Sequence, residues 1–204
     1  MLIGLDFDNT IAGYDRVFRD AALAAGFPGA ARAATKKQVR DLVRLSPDAD
    51  VAWQKLQAEV YAHRMAEAEL IEGIGDFLLE CRNLGWDVAI VSHKTETAPY
   101  DPDQINLRKA ALAWMDSKGF FAAKGFGLKR PNIYFCATRA EKLARIGQLR
   151  CAAFVDDLEE VFAEPGFPAG IERYLFHPAK PLPTGAFLAF LMAMASKTNV
   201  HGPA

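Results

Sequence analysis

A doubly wound α/β protein, with a parallel sheet covered by helices on both faces, is the fold class this sequence predicts. Three observations predict it. Short apolar runs recur along the chain, at Leu2-Ile3-Gly4-Leu5, Val88-Ala89-Ile90-Val91 and Ala152-Ala153-Phe154-Val155. They are short enough for strands and apolar at consecutive positions, as strands buried on both faces are. Segments with helical spacing separate them. Each run then empties into polar residues, Asp6-Phe7-Asp8-Asn9-Thr10, Ser92-His93-Lys94 and Asp156-Asp157. In an open parallel sheet the carboxyl ends of the strands form the rim where ligands bind.

After the first strand, Tyr14 to Gly26 places Val17, Phe18, Ala21, Ala22 and Ala25 at helical spacing and stops at Gly26-Phe27-Pro28-Gly29. A second helix is predicted over about Thr35 to Leu45, with Val39, Leu42 and Val43 on one face and Thr35 as its cap. A third opens at Pro47-Asp48 and extends to about Leu70 through Val51, Trp53, Leu56, Val60, Tyr61 and Met65. Three helices and no strand between Tyr14 and Leu70 make this stretch an insertion rather than another βα repeat. Trp53 and Tyr61 read as its core, Lys36-Lys37 as an exposed basic face, and Arg64 as either an anion clamp or a solvated charge.

The core resumes with a helix from Asp76 to Leu84 and a strand from Trp86 to Ser92. A loop through Pro99-Tyr100-Asp101-Pro102-Asp103, long for an α/β connection, precedes a helix from about Gln104 to Ser117. Next come a basic, glycine-rich turn from Lys124 to Pro131, a strand from Asn132 to Cys136, and a helix from Thr138 to Leu149 with Glu141 at capping-box spacing from Thr138. The strand Cys151 to Asp157, a fifth strand Glu172 to Phe176 and a final helix Thr184 to Ala195 follow. The predicted organisation is a core of residues 1–13 and 71–195, a helical insertion of 14–70 and a disordered tail of 196–204.

At 204 residues, 51% hydrophobic and 24% charged, the chain suits one α/β core with a small insertion. A formal net charge of -1 offers no field for nucleic acid or an anionic membrane. The longest apolar run, Ala186 to Ala195, is too short to span a bilayer. The start lacks the basic and apolar pattern of a secretory signal, so a cytoplasmic protein is expected. Cys81, Cys136 and Cys151 are odd in number, lack CxxC spacing and sit among apolar residues. They read as buried thiols rather than a disulfide framework or a zinc site.

Two carboxylates two residues apart, followed by a hydroxyl, make sense beside a cation or a phosphoryl group. Asp6-x-Asp8-x-Thr10 at the end of an apolar strand resembles motif I of the haloacid dehalogenase superfamily, most of whose members are magnesium-dependent phosphatases. Ser92, Lys142 and the pair Asp156-Asp157 follow in order, resembling motifs II, III and IV, so the likeness covers Met1 to about Asp157. It implies a Rossmann-like core with a small helical cap after the first strand. Asp6 is then the nucleophile that forms an aspartyl-phosphate, and Asp8 the acid and base for the leaving oxygen and water. Thr10 and Ser92 hold the phosphoryl group, and Lys142 sets a cation against it and against Asp6. Asp6, Asp8 through its backbone carbonyl, Asp156 and, through water, Asp157 hold Mg2+, which suits hard oxygen ligands.

The thirteen residues between Lys142 and Asp156 are fewer than the family spacing, which leaves Lys94, Lys124 and Lys129 open for the motif III role. Lys94, two residues past Ser92, is the main rival and a second candidate for substrate binding. His93 reads as a hydrogen-bonded spacer, and Glu160 as a carboxylate just behind the metal's own ligands or as a helix-start carboxylate. The dehalogenase branch lacks an aspartate at the position of Asp8, so this chain points to phosphate chemistry.

The function expected is magnesium-dependent hydrolysis of a small soluble phosphomonoester, a sugar phosphate being one candidate. A cap over the rim would obstruct a folded protein or duplex. A phosphotransferase or mutase on a sugar phosphate shares every motif, and a non-catalytic binding module could keep the fold. A receiver-type signalling domain fits poorly with the long insertion.

Overall fold

The chain runs β1 (Leu2–Leu5), β2 (Ala12–Gly13), α1 (Asp15–Ala24), α2 (Lys36–Val43), α3 (Ala49–Ala58), β3 (Glu69–Leu70), α4 (Ile74–Asn83), β4 (Asp87–His93), α5 (Leu107–Ser117), β5 (Ile133–Cys136), α6 (Arg139–Leu149), β6 (Ala153–Asp156), α7 (Glu159–Ala163) and β7 (Glu172–Leu175). This is a computed structural model that describes residues 1–177 with 189, 190, 192–194 and 196. The final helix expected over 184–195 and the tail of 196–204 therefore lie mostly outside the described residues. Five strands form one parallel sheet in the order β5-β4-β1-β6-β7.

Alternation along the central strands produces the layers, because successive side chains point to opposite faces. Ile3, Leu5, Val88, Ile90, Ala153 and Val155 pack with Phe77, Leu78 and Cys81 of α4 and with Ala111, Trp114 and Met115 of α5. Val91 and Phe154 point the other way, into a cluster with Leu143 and Ile146 of α6 and Val161 and Phe162 of α7. Gly4 is glycine because β6 crowds it: a Cβ there would lie 2.5 Å from Cδ2 of Phe154. All three cysteines are buried and unpaired by disulfides, and burial pushes the Cys81 thiol up to about 12 and that of Cys151 to about 11.

Central position in the sheet fixes where the site forms. β1 lies between β4 and β6, with Leu5 beside both Ile90 and Val155. The residues that leave β1, β4 and β6 therefore emerge side by side at one rim.

Between β2 and β3 the chain forms the helical insertion. The helix expected to run to Leu70 ends sooner: α3 passes into a π-helical turn over Glu59–His63 and a 3₁₀ turn over Met65–Glu67. Leu70 then pairs with Ala12, and Glu69 with Gly13, in an antiparallel ribbon. The expectation of no strand before Leu70 is thus corrected; two residues are too few to show a period-2 pattern. Phe18 of α1 stacks on Trp53 of α3 at 5.1 Å between centroids and is fully buried, as is Val39 of α2. Burying a side chain of that size contributes roughly 1.5–3 kcal/mol.

The expected caps form in two ways. Thr35 and Gln38 make a reciprocal capping box at the start of α2. Thr138 accepts from the Glu141 amide at 3.1 Å, whereas the Glu141 carboxylate accepts from Ala137 N at 2.8 Å, one residue before the cap. The insertion is also tied to the long loop after β4. His63 Nε2 lies 2.9 Å from Asp101, whose side chain also accepts from the Asp103 and Ile105 amides.

Candidate active site

β1 delivers Asp6 directly and then folds into a tight loop: Phe7 O accepts from both Ile11 N and Ala12 N, and Asn9 takes φ 60. That loop turns Thr10 inward, where its Oγ1 is buried without a hydrogen-bond partner among the described residues. An inward hydroxyl left unsatisfied is costly in an interior and points to a polar group that completes the site. Ser92 closes β4 at the same rim and is 1% exposed.

Lys142 is the ion that holds the first half of the site together. Although it lies in the first turn of α6, it is buried, and its Nζ sits 2.6 Å from Asp6 Oδ1 and 2.6 Å from Asp156 Oδ2. Burial alone would lower its pKa, but the two carboxylates raise it, so the ammonium is retained. Lys129, by contrast, pairs with Asp87 at the opposite end of β4, and Lys124 is exposed in its turn. Lys94 is buried and pairs with Asp8, at 2.9 Å from Oδ2 and 3.1 Å from Oδ1. The structure therefore brings together Lys142 and Lys94, each with a different carboxylate, and leaves Lys129 and Lys124 outside.

Asp6, Asp156 and Asp157 each present an oxygen within 4.8 Å of the others. Burial, then the charge of Asp6, pushes the Asp156 carboxyl up, and the same causes with Asp156 added push Asp157 up to about 7. Three converging carboxylates served by one ammonium are short of positive charge. A hard divalent cation such as Mg2+ fits that donor set, with Thr10 Oγ1 a further oxygen nearby in sequence.

Asp8 faces the insertion instead. Besides Lys94 it accepts a hydrogen bond of 2.5 Å from the Tyr14 hydroxyl. Burial would raise its pKa, but Lys94 and Tyr14 outweigh that and hold it below the ordinary value. Burial and the adjacent Asp8 hold Tyr14 well above its own. The Tyr61 ring lies against the same group, with Lys94 Nζ 4.9 Å from its centroid and Lys36 Nζ donating to its hydroxyl at 2.7 Å. Lys94 and Tyr14 thus hold Asp8 directly, and Tyr61 and Lys36 stand behind Lys94.

Several sequence expectations change here. Lys36 is half-buried beside the rim rather than part of an exposed basic face; only Lys37 is exposed, paired with Asp41. Arg64 makes two hydrogen bonds to Glu67, at 2.8 and 2.7 Å, which take up its fork. Glu160 is exposed in the first turn of α7. His93 bonds to Ala137 O at 2.9 Å, the spacer role expected of it. Tyr14 and Lys36 reach this group of residues although the sequence analysis assigns them no part in it, and Tyr61, expected as core of the insertion, lies there as well. Nothing local marks them, since their place depends on how the insertion folds back over β1.

No protein-family model and no curated protein matches this sequence. Among solved structures, the chain is similar to a haloacid dehalogenase-like hydrolase from Bacteroides fragilis, with 17% identity, 92% of each chain covered and a TM-score of 0.52. It is more loosely similar to a haloacid dehalogenase-like family hydrolase from Xanthomonas campestris, at 15% identity, 98% coverage of each chain and a TM-score of 0.48. A haloacid dehalogenase family enzyme from Bacteroides thetaiotaomicron, a variant in complex with magnesium and inorganic phosphate, shows 15% identity, 89% and 96% coverage and a TM-score of 0.44. With its parallel sheet in the order β5-β4-β1-β6-β7 and its likeness to the first of these over nearly the whole chain, the protein has the haloacid dehalogenase-like fold.

Proposed function

We infer that the protein hydrolyses a small phosphomonoester with Mg2+ by way of an aspartyl-phosphate on Asp6. The observation that carries this is the convergence of Asp6, Asp156 and Asp157 at one point of the rim, with Lys142 bridging the first two at 2.6 Å. Phosphoryl transfer asks for a nucleophile in line with the leaving oxygen and for positive charge on the phosphoryl oxygens. Bound by Asp6, Asp156 and Asp157, the cation would neutralise phosphoryl charge and orient the group for attack.

The chain's own residues supply the remaining parts. A carboxylate oxygen of Asp6 attacks phosphorus and the bond to the leaving oxygen breaks. Lys142 orients Asp6, and Ser92 and Thr10 hold phosphoryl oxygens. Asp8 gives a proton to the leaving oxygen, then takes one from the water that attacks phosphorus and frees Asp6. Held ionised by Lys94 and Tyr14, Asp8 is already set for the second of these steps. For the first, a substrate that draws Lys94 away raises the Asp8 pKa, so that the carboxylate takes up a proton from solvent before the ester bond breaks.

Residues 14–70 act in this reading as a cap, closing over the rim and excluding water from the intermediate. Its burial fits that role: Asp6 is 5% exposed, whereas Asp8 and Asp157 keep partial exposure and mark the way in. The substrate is a soluble small molecule, and the protein works in the cytoplasm. No helix among the described residues is long and apolar enough to cross a membrane.

The test is phosphate release from a panel of sugar phosphates, nucleotides and phospho-acids with magnesium, using Asp6→Asn as the control. Release that survives Asp6→Asn rejects the aspartyl-phosphate. Conversion of a sugar phosphate to an isomer without free phosphate would assign a mutase instead.

A further inference from the structure

Lys36 is the one cation around Asp8 that lacks a carboxylate of its own. Lys142 and Lys94 each have one within 3 Å. No carboxylate lies within 4.0 Å of Lys36 Nζ among the described residues; its partner is the neutral hydroxyl of Tyr61, 2.7 Å away. The Phe18 ring stands 5.3 Å from the same nitrogen.

The backbone pins this side chain in place. Lys36 is the first residue of α2, behind the Thr35 cap, and its amide donates to Asp15 Oδ1 at 2.7 Å at the start of α1. Burial would lower the pKa of the ammonium, but Tyr61, Asp8 and Asp157 raise it, so the charge persists. An ammonium carries three donors. One is used on a phenol, and the side chain is half-buried against the Phe18 and Tyr61 rings. A half-buried ammonium with donors to spare and no carboxylate in contact suits an incoming anion.

The place of that anion follows from Asp8, the group assigned to protonate the leaving oxygen. Tyr61 carries Lys36 on its hydroxyl and Lys94 against its ring; Lys94 pairs with Asp8, and Lys36 feels the charge of Asp8 first and of Asp157 after it, without touching either. Through Tyr61 and Lys94, Lys36 is thus linked to Asp8 on the insertion side of the rim, where the half of the ester that departs would lie.

Resting on the phosphatase reading above, we propose that Lys36 binds a second anionic group on the leaving half of the substrate. The substrate is then a phosphorylated carboxylic acid or a bisphosphate, and not a neutral sugar phosphate. The shared chemistry is an anion held by a lysine point charge, which accepts a carboxylate or a phosphate alike.

The experiment compares kcat/KM, with magnesium, for phosphoglycolate, a sugar bisphosphate and glycerol phosphate. The wild-type protein should prefer at least one of the first two over glycerol phosphate by about 10- to 10²-fold, the worth of a charge-assisted hydrogen bond. Lys36→Gln should erase that preference and Lys36→Arg should keep it, while Lys37→Gln, at the exposed neighbour, should leave both the ratio and the melting temperature alone. Preference for phosphoglycolate alone assigns a carboxylate, and for the bisphosphate alone a second phosphate. Equal turnover of all three by the wild-type protein, or a ratio that survives Lys36→Gln, overturns the proposal. If Lys36→Gln does not fold, the wild-type preference still decides. No turnover of any ester overturns the phosphatase reading itself, a different result from turnover without preference.

Discussion

The two halves of the rim differ in the sign of the charge they lack. Where β1 meets β6, three carboxylates converge and one ammonium bridges two of them, all on the sheet or on α6 and the turn after β6. Where β1 meets the insertion, one carboxylate is met by Lys94 and Tyr14, with Lys36 and Tyr61 beyond. In the proposed reading the first half takes a cation and the second an anion. The division tracks origin: the cation half comes wholly from the sheet core, and the anion half takes Tyr14, Lys36 and Tyr61 from the insertion.

The most severe test of the first half is Asp6→Asn, which should reduce phosphate release by more than about 10³-fold, since an amide cannot replace a nucleophilic carboxylate. Next comes Lys142→Met. Removing the ammonium leaves Asp6 and Asp156 buried and unpaired, which should destabilise the fold by about 3–5 kcal/mol in urea denaturation. Lys94→Met should cost less, because Asp8 keeps the Tyr14 hydroxyl and its side chain is 19% exposed. Equal losses would erase the contrast between the halves.

The cation half also predicts a pH signature. Asp157 is raised from 3.8 to about 7, so the folded state holds its proton more tightly than the unfolded chain does. Without divalent cations, the stability this gives is fully present below the unfolded pKa and is lost as pH rises through about 7. Magnesium should therefore raise the melting temperature more at alkaline than at acid pH, with stabilisation of about 2.7 kcal/mol at a hundredfold excess over Kd. Chelation should reverse it.

Smaller effects probe the anion half. Tyr14→Phe removes the 2.5 Å hydrogen bond to Asp8 and should cost about 1–2 kcal/mol. Because that bond helps hold the Asp8 pKa down, the acid limb of the pH–rate profile should move to higher pH. The smallest change is Lys129→Ala, an exposed pair with Asp87 far from the rim, which should alter stability by no more than about 0.5 kcal/mol and leave activity unchanged.

What was legible in the sequence follows the same division. Asp6, Ser92 and Asp156 end apolar strands, and strand order alone brings such ends together, so the rim could be read from the chain. Lys142 follows the order of the motifs, and only the folded chain shows that it meets Asp6 and Asp156 while Lys94 meets Asp8. Lys36 was beyond reach. A lysine at a helix start is usually solvated, and the contact with Tyr61 spans twenty-five residues that no local period encodes. The two-residue strands β2 and β3 and the π-helical turn were equally silent, being shorter than any pattern that would announce them.

The ribbon of Ala12-Gly13 with Glu69-Leu70 has a bearing on how such a protein can be altered. Because the polypeptide departs from and rejoins the sheet at neighbouring points, the helices between can be exchanged for others of different length without displacing β1. Under the proposed function, selectivity would then be rewritten as a cassette, while the residues assigned to phosphoryl transfer stay where they are.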